Sequence, residues 1–345
     1  FFLAYRDILM TAYGANTIVS YPISFLRRNS ETSFSKCQVT EGNRVECKVY
    51  ENINSENLDN YLIEATMNPL DNGFYLAGYD FYPYLSVRDL AAHSSIGDVK
   101  ILTTGGLIPQ LDVQSKTLTF AIEDASSTAD RQVLLQGGAL SNWVIDLSSI
   151  ALGYRKTEND RKSWASLTGC LTIVNMKLKG VSIIGPFSSK CEDGVHIVRS
   201  TGSLKSLSVG NAEADAFDAD FSDLIIGEIE VSNADNDCVD VSKGSYHFNS
   251  MGLSKCGDKG ISVGEAAVVT VDQVSISGSR IGLATKDSAG LTVNRLGPVT
   301  DTILCTAAYV KKPEFSFPTL KIKQQACKDI PSFWQEGSRI SLGVN

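Results

Sequence analysis

A basic excess, a histidine cluster and long apolar runs are all missing from this chain. Its 31 Lys and Arg are outnumbered by 39 Asp and Glu, for a net charge of −8. Nucleic-acid phosphates are held by clustered Lys and Arg. Nothing here resembles a basic groove, so no nucleic-acid partner is expected. No apolar run reaches the roughly 18 residues a membrane-spanning helix needs, so membrane association would require a segment beyond this sequence. Histidine occurs three times, at His93, His196 and His247, too scattered along the chain to mark a zinc motif. GISVGE (260–265) is not followed by the Lys-Ser/Thr of a phosphate loop, and Ser242 and Ser262 have no obvious His–Asp partners for a serine hydrolase. No Asn-x-Ser/Thr sequon occurs, which leans towards a bacterial envelope or secreted protein. The opening FFLAYRDILM reads equally as a trimmed leader, the tail of an anchor or a first strand.

What the chain does contain is a 22-residue repeat in its C-terminal half. Segments beginning at Val195, Phe217, Val239, Ile261, Leu283 and Cys305 each open with a short strand, and a second apolar strand follows about ten residues later. The connections are rich in Gly, Asn, Asp and Ser. A unit this short cannot bury its own apolar side and must stack on its neighbours. The expectation is an all-β fold, a single-stranded right-handed parallel β-helix whose equivalent residues lie about 4.8 Å apart on successive turns. The regular repeats cover 165–310. Residues 100–165 read as irregular early turns, placing the coil at 100–345. Residues 1–99 read as an N-terminal cap or small appended domain, because a solenoid needs its open end covered. That region carries an aromatic cluster, Phe74, Tyr75, Tyr79, Phe81, Tyr82 and Tyr84. Such a cluster either stacks sugar rings or, more commonly, packs a cap. The stretch YRKTENDRKS (154–163) reads as a charged, exposed loop.

Eight cysteines are present. Cys37 and Cys47 bracket a short polar loop. Cys170/Cys191 and Cys305/Cys327 are spaced by one turn, near disulfide distance, and Cys238 and Cys256 are left over. Disulfides would place the protein in an oxidising compartment, secreted, periplasmic or cell-envelope, with the 37–47 pair the first expectation. The alternative is that cysteines fill the coil as small apolar residues.

Strand alternation puts Val195/Ile197, Phe217/Ala219, Val239/Val241 and Ile261/Val263 in the core. His196, Asp218, Asp240, Ser262 and Ala284 then point outward, followed two residues on by Val198, Asp220, Ser242, Gly264 and Lys286. Asp218, Asp220 and Asp240 form an acidic patch, with oxygen ligands suited to Ca²⁺. Ca²⁺ is therefore the candidate cofactor, alongside a reading with no cofactor. A second ladder, Asp193, Asp215, Asp237 and Lys259, lies at the bend before each strand, with Asp258 and Arg280 one place earlier in their turns. Stacked Asp at a bend also commonly bonds backbone of the next turn. The patch itself could be a solvated face, and Lys286 an ion-pair partner of Asp287 or Glu265.

Four segments in this region resemble polygalacturonases, within the pectate-lyase-like parallel β-helix superfamily. ADAFD (214–218) resembles their Asn-Thr-Asp-Gly-Phe-Asp segment, and NDCVDVSKG (236–244) their Asp-Asp-Cys-Val motif. CGDKGISVG (256–264) is similar to their Gly-His-Gly-Ile-Ser-Ile-Gly, and RIGLATK (280–286) more loosely to their Arg-Ile-Lys. The order is the family's and covers about 75 residues. The resemblance implies an enzyme that hydrolyses an acidic, uronate-type polysaccharide. It makes Asp215 and Asp237 the catalytic acids, puts Lys259 in the place of a histidine, and assigns Arg280 and Lys286 to the sugar carboxylate. Asn236 stands where the family has the first Asp of its pair, whereas an inverting hydrolase needs an acid and a base about 6.5–9.5 Å apart. Asp218, Asp220, Asp240 and His196 would bind sugar, water or metal.

Two other functions fit the same residues. One is a Ca²⁺-assisted lyase or C5-epimerase with Lys259, Arg280 or Lys286 as base, if burial lowers its pKa. The other is a non-catalytic, glycan-binding or structural β-helix. Convergence of Asp215, Asp237 and Lys259 in an open groove would favour an enzyme. Burial with bonds to neighbouring turns would favour the non-catalytic reading.

Overall fold

The computed structural model describes the strands 23–30, 33–40, 44–51, 74–77 and 80–83, and residues 91–343 apart from 124–130, 154–167, 188, 325–326 and 328. The charged stretch 154–163, FFLAYRDILM, Tyr79 and Tyr84 lie outside the described residues. Contacts divide the chain into two units, one of 1–89 with 156–167 and one of 90–155 with 168–345.

In the first unit, Ile23–Ser30, Ser33–Thr40 and Arg44–Glu51 form an antiparallel three-stranded sheet, in which Cys37 lies opposite Cys47. Phe74–Ala77 and Asp80–Pro83 pair as a hairpin with Tyr75 opposite Tyr82.

The second unit is a parallel β-solenoid of about 9 turns spaced about 23 residues apart, and no described residue of the chain is helical. Three ladders run along it. Val133, Leu171, Val195, Phe217, Val239, Ile261, Leu283 and Thr306 follow one another in register along the first. Ala139, Lys177, Thr201, Asp223, Ser245, Val268, Gly290, Thr319 and Arg339 mark the second. Val144, Ser182, Ser206, Glu228, Ser250, Gln273 and Arg295 mark the third. The inward set expected from alternation holds: Val195, Ile197, Phe217, Ala219, Val239, Val241, Ile261 and Val263 are fully buried in one continuous core.

Two features depart from the sequence reading. The last expected repeat start is displaced, because Leu283 pairs with Thr306 rather than Cys305. The register slips between Val274 and Ile276, whose partners are Leu296 and Val299. Gly297 and Pro298 lie in that bulge, and Pro298 has no N–H to offer a ladder. The parallel ladders also begin only after an antiparallel entry. Ala91–Ile96 pairs with Val99–Thr103, which pairs with Val133–Gln136, and Leu107–Asp112 forms a hairpin with Thr117–Ile122. Val99–Thr103 thereby occupies a strand edge that would otherwise lie open to another chain.

One corner recurs on every regular turn. Arg199, Phe221, Lys243, Glu265 and Asp287, 22 residues apart, all have positive φ, between 44° and 54°. This left-handed residue turns the chain from the first ladder towards the second. Three disulfides add cross-links: Cys170–Cys191, Cys238–Cys256 and Cys305–Cys327, with Cα–Cα distances of 5.4, 5.2 and 5.9 Å. Two are the one-turn pairs expected from spacing, and the third joins the two cysteines left over. They are compatible with an extracellular or secreted protein.

Candidate functional site

In the bend ladder, Asp215 and Asp237 each bond the backbone of the next turn. Asp215 Oδ1 accepts the main-chain N–H of Asp237 at 2.8 Å and Nδ2 of Asn236 at 2.8 Å. Asp237 Oδ1 accepts the main-chain N–H of Lys259 at 3.0 Å and its ammonium at 3.2 Å. The same ammonium also bonds Asp258. Asp237 and Lys259 are buried, at 1% and 8% exposure. Asn236 donates the side-chain N–H that holds Asp215 in place.

The outward column lies alongside. His196, Asp218, Asp240, Ser262 and Ala284 are consecutive register partners, with Thr172 preceding His196. His196 Nε2 lies 3.2 Å from Asp220 Oδ2 and 3.5 Å from Asp218 Oδ2. Its Nδ1 is 3.0 Å from Thr168 Oγ1. The column is most open at this end: the side chains of His196, Asp218 and Asp220 are 14%, 22% and 29% exposed. Further along, all six residues of Lys259–Gly264 are buried, as are Ala284 and Thr285. Lys286 is buried too and donates to Ser262 Oγ at 2.7 Å. The alternative partners weighed for it are taken elsewhere: Glu265 pairs with Lys312, and Asp287 Oδ1 accepts the backbone N–H groups of Lys311 and Lys312. Arg280 is exposed, with its main-chain N–H bonded to the carbonyl of Asp258. Asp240 Oδ1 is buried without a hydrogen-bond partner.

Burial, and after it the crowding of like charge, sets the protonation of the array. Burial first, then the charges of Asp193, Asp240 and Asp237, push Asp215 up to about 8. Burial and Asp240 push Asp237 up to about 6, against the pull of Lys259 and Lys286. Burial also raises Asp193, and it raises Asp218 well above the usual carboxylate range, with Asp220, Asp193 and Asp240 adding to the latter. Burial opposes charge on His196, but the hydrogen bond and charge of Asp220, with Asp193 and Glu192, outweigh it and its pKa rises. Lys259 and Lys286 behave alike: burial acts to lower them, and the neighbouring aspartates more than reverse it.

The ligand atoms of Asp193, His196 and Asp218 lie within 4.8 Å of one another, the one such group among the described residues. It shares only Asp218 with the set Asp218, Asp220 and Asp240 expected to suit Ca²⁺. Strand alternation puts His196 in the outward column, while the wide spacing of the three histidines along the chain forms no zinc motif. The usable signal was the 22-residue register, which sets His196 beside Asp218 and three residues after Asp193. Thr168, at the start of the regular repeats, carries no signal.

Among protein families, curated proteins and solved structures, none matches this chain.

Proposed function

We propose that this protein hydrolyses an acidic, uronate-type polysaccharide at the acidic array of the first ladder. The observation that carries the reading is Asp215, a partly exposed carboxyl whose pKa of about 8 keeps it protonated near neutral pH. A protonated acid beside ionised carboxylates is the pairing that glycoside hydrolysis uses. In this reading Asp215 gives its proton to the glycosidic oxygen. The outward acids Asp218, Asp220 and Asp240 bind the sugar and the attacking water. The polygalacturonase-like order of ADAFD, NDCVDVSKG, CGDKGISVG and RIGLATK supports the substrate class. Asp237 and Lys259, expected as catalytic, take the role of an inter-turn clamp because each is buried and engaged. A lyase or epimerase base would need a lysine with a lowered pKa, and both buried lysines are held in the opposite direction.

A non-catalytic, glycan-binding or structural module is the second reading. It is favoured by the burial of Asp237 and Lys259 and their bonds to neighbouring turns.

The test is a panel of acidic polysaccharides with and without Ca²⁺, followed for new reducing ends and for the absorbance of unsaturated uronates. Reducing ends without the chromophore, abolished in Asp215→Asn, are the expected result. A Ca²⁺-dependent chromophore would replace hydrolysis by elimination. Binding without turnover on every substrate would establish the non-catalytic reading.

A further inference from the structure

Six carboxylates, Asp193, Asp215, Asp218, Asp220, Asp237 and Asp240, converge on this face with few cations to balance them. Lys259 is engaged by Asp237 and Asp258, and Lys286 bonds Ser262. At the open end the charge is concentrated around His196. We propose that Asp193, His196 and Asp218 form a binding site for a borderline divalent cation of the Zn²⁺ class. The inference is independent of the hydrolase reading, since it needs no sugar and no turnover.

Three observations carry it. The ligand atoms of the three residues already lie within 4.8 Å of one another, as donors to a common ion must. An imidazole with two carboxylates suits Zn²⁺ or a neighbouring first-row ion rather than Ca²⁺, which takes oxygen ligands throughout. Three protein ligands would leave a further position open to water.

The second observation is how the imidazole is held. Thr168 Oγ1 stands 3.0 Å from His196 Nδ1. An ion held at Nε2 would leave Nδ1 as the N–H, donated to Thr168 Oγ1. Nε2 faces Asp220 at 3.2 Å and Asp218 at 3.5 Å. Metal-ligating histidines are characteristically fixed in this way, through the ring nitrogen that does not bind the ion.

The third observation is Thr172, the register partner of His196 on the preceding turn and so on the same side of the ladder. It is fully buried, and its Oγ1 has no hydrogen-bond partner. Thr172 Oγ1 and His196 Cβ flank Gly169, at 2.9 and 3.0 Å from where that glycine would carry a Cβ. An unpartnered buried hydroxyl is costly in an apolar site and is suited to bonding a water on a neighbouring ion.

The experiment is metal titration of the whole protein with Zn²⁺ and, as a spectroscopic probe, Co²⁺. The expected result is about one equivalent bound, with visible Co²⁺ bands and a paramagnetically shifted proton resonance from the Nδ1–H of one imidazole. His196→Gln and Asp193→Asn should each weaken binding by about 100-fold or more, and Thr168→Val by roughly 10-fold as a positioning residue. Circular dichroism controls for folding, and the Co²⁺ imidazole resonance decides on the native chain should a variant not fold. No stoichiometric binding, an unchanged affinity in His196→Gln, or Ca²⁺ bound as tightly as Zn²⁺ would each overturn the proposal.

Discussion

The ammonium of Lys259 sits 3.2 Å from Oδ1 of Asp237 on the preceding turn, and the backbone N–H of Lys259 donates to that same oxygen at 3.0 Å. One carboxylate oxygen thus binds both the charge and the main chain of the next turn. Removing one partner of a buried pair leaves an uncompensated charge and costs about 3–5 kcal/mol. Lys259→Met is expected to lose stability on that scale in urea unfolding. The double variant Asp237→Asn/Lys259→Met should recover part of the loss, because no lone charge is then buried.

Stability should fall as pH rises from about 5 to 8. Asp215 and Asp237 have folded-state pKa values of about 8 and about 6, above their ordinary 3.8, and Asp193 and Asp218 are raised in the same direction. A raised group binds protons more tightly in the folded chain. Its contribution is complete below the unfolded pKa and lost as pH climbs through the folded one. His196, raised above 6.5, adds to the loss at the upper end of this window. Asp272, held low by its hydrogen bond to His247, acts oppositely, but it is exposed and screened. A melting temperature several degrees higher at pH 5 than at pH 8 is the expected outcome of a thermal scan.

If Asp215 is the general acid, turnover on an acidic polysaccharide should decline as pH rises through about 8, where its proton is lost. A rate that stays flat from pH 6 to 9 would remove Asp215 from that role.

Gly244 follows the left-handed corner residue Lys243 and itself has φ +99°. A Cβ there would collide with the carbonyl oxygen of Ser222 on the preceding turn. Gly244→Ala is expected to cost about 2–3 kcal/mol, from backbone strain and the forced separation of two turns. Chemical denaturation would measure it. The half-buried Gly290 has nothing within 4 Å of its Cβ position and φ outside the left-handed region, so Gly290→Ala should be near neutral.

The Cys238–Cys256 bridge closes a loop of 18 residues directly beside Asp237. Replacing both cysteines by serine should cost about 2–4 kcal/mol through the freer unfolded chain. Comparing midpoints of the variant and the parent, both without reductant, isolates this bridge from the other two.

The sequence by itself determined the solenoid, because a 22-residue apolar period admits only stacked turns, and it determined which side chains face inward, because strands alternate. It also put Asp215, Asp237 and Lys259 in one ladder, and His196, Asp218 and Asp240 in one column. It could not say what those groups do to one another. Whether Lys259 reaches a substrate or closes on Asp237 depends on burial and on side-chain direction at a bend, where alternation gives no rule. The approach of Asp193 to His196, with ligand atoms within 4.8 Å, is likewise set by side-chain directions at a strand start. The left-handed corners at Arg199, Phe221, Lys243, Glu265 and Asp287 were hidden too, because none is glycine and only the closing geometry of the coil requires positive φ there. The slip that sets Thr306 opposite Leu283 likewise arose from pairing: Pro298 marks where a bond is lost, but only the neighbouring turn decides how the ladder absorbs it. Periodicity is a property of the chain, and so it was legible. Charge compensation and protonation belong to groups brought together by stacking, and only the tertiary structure sets them.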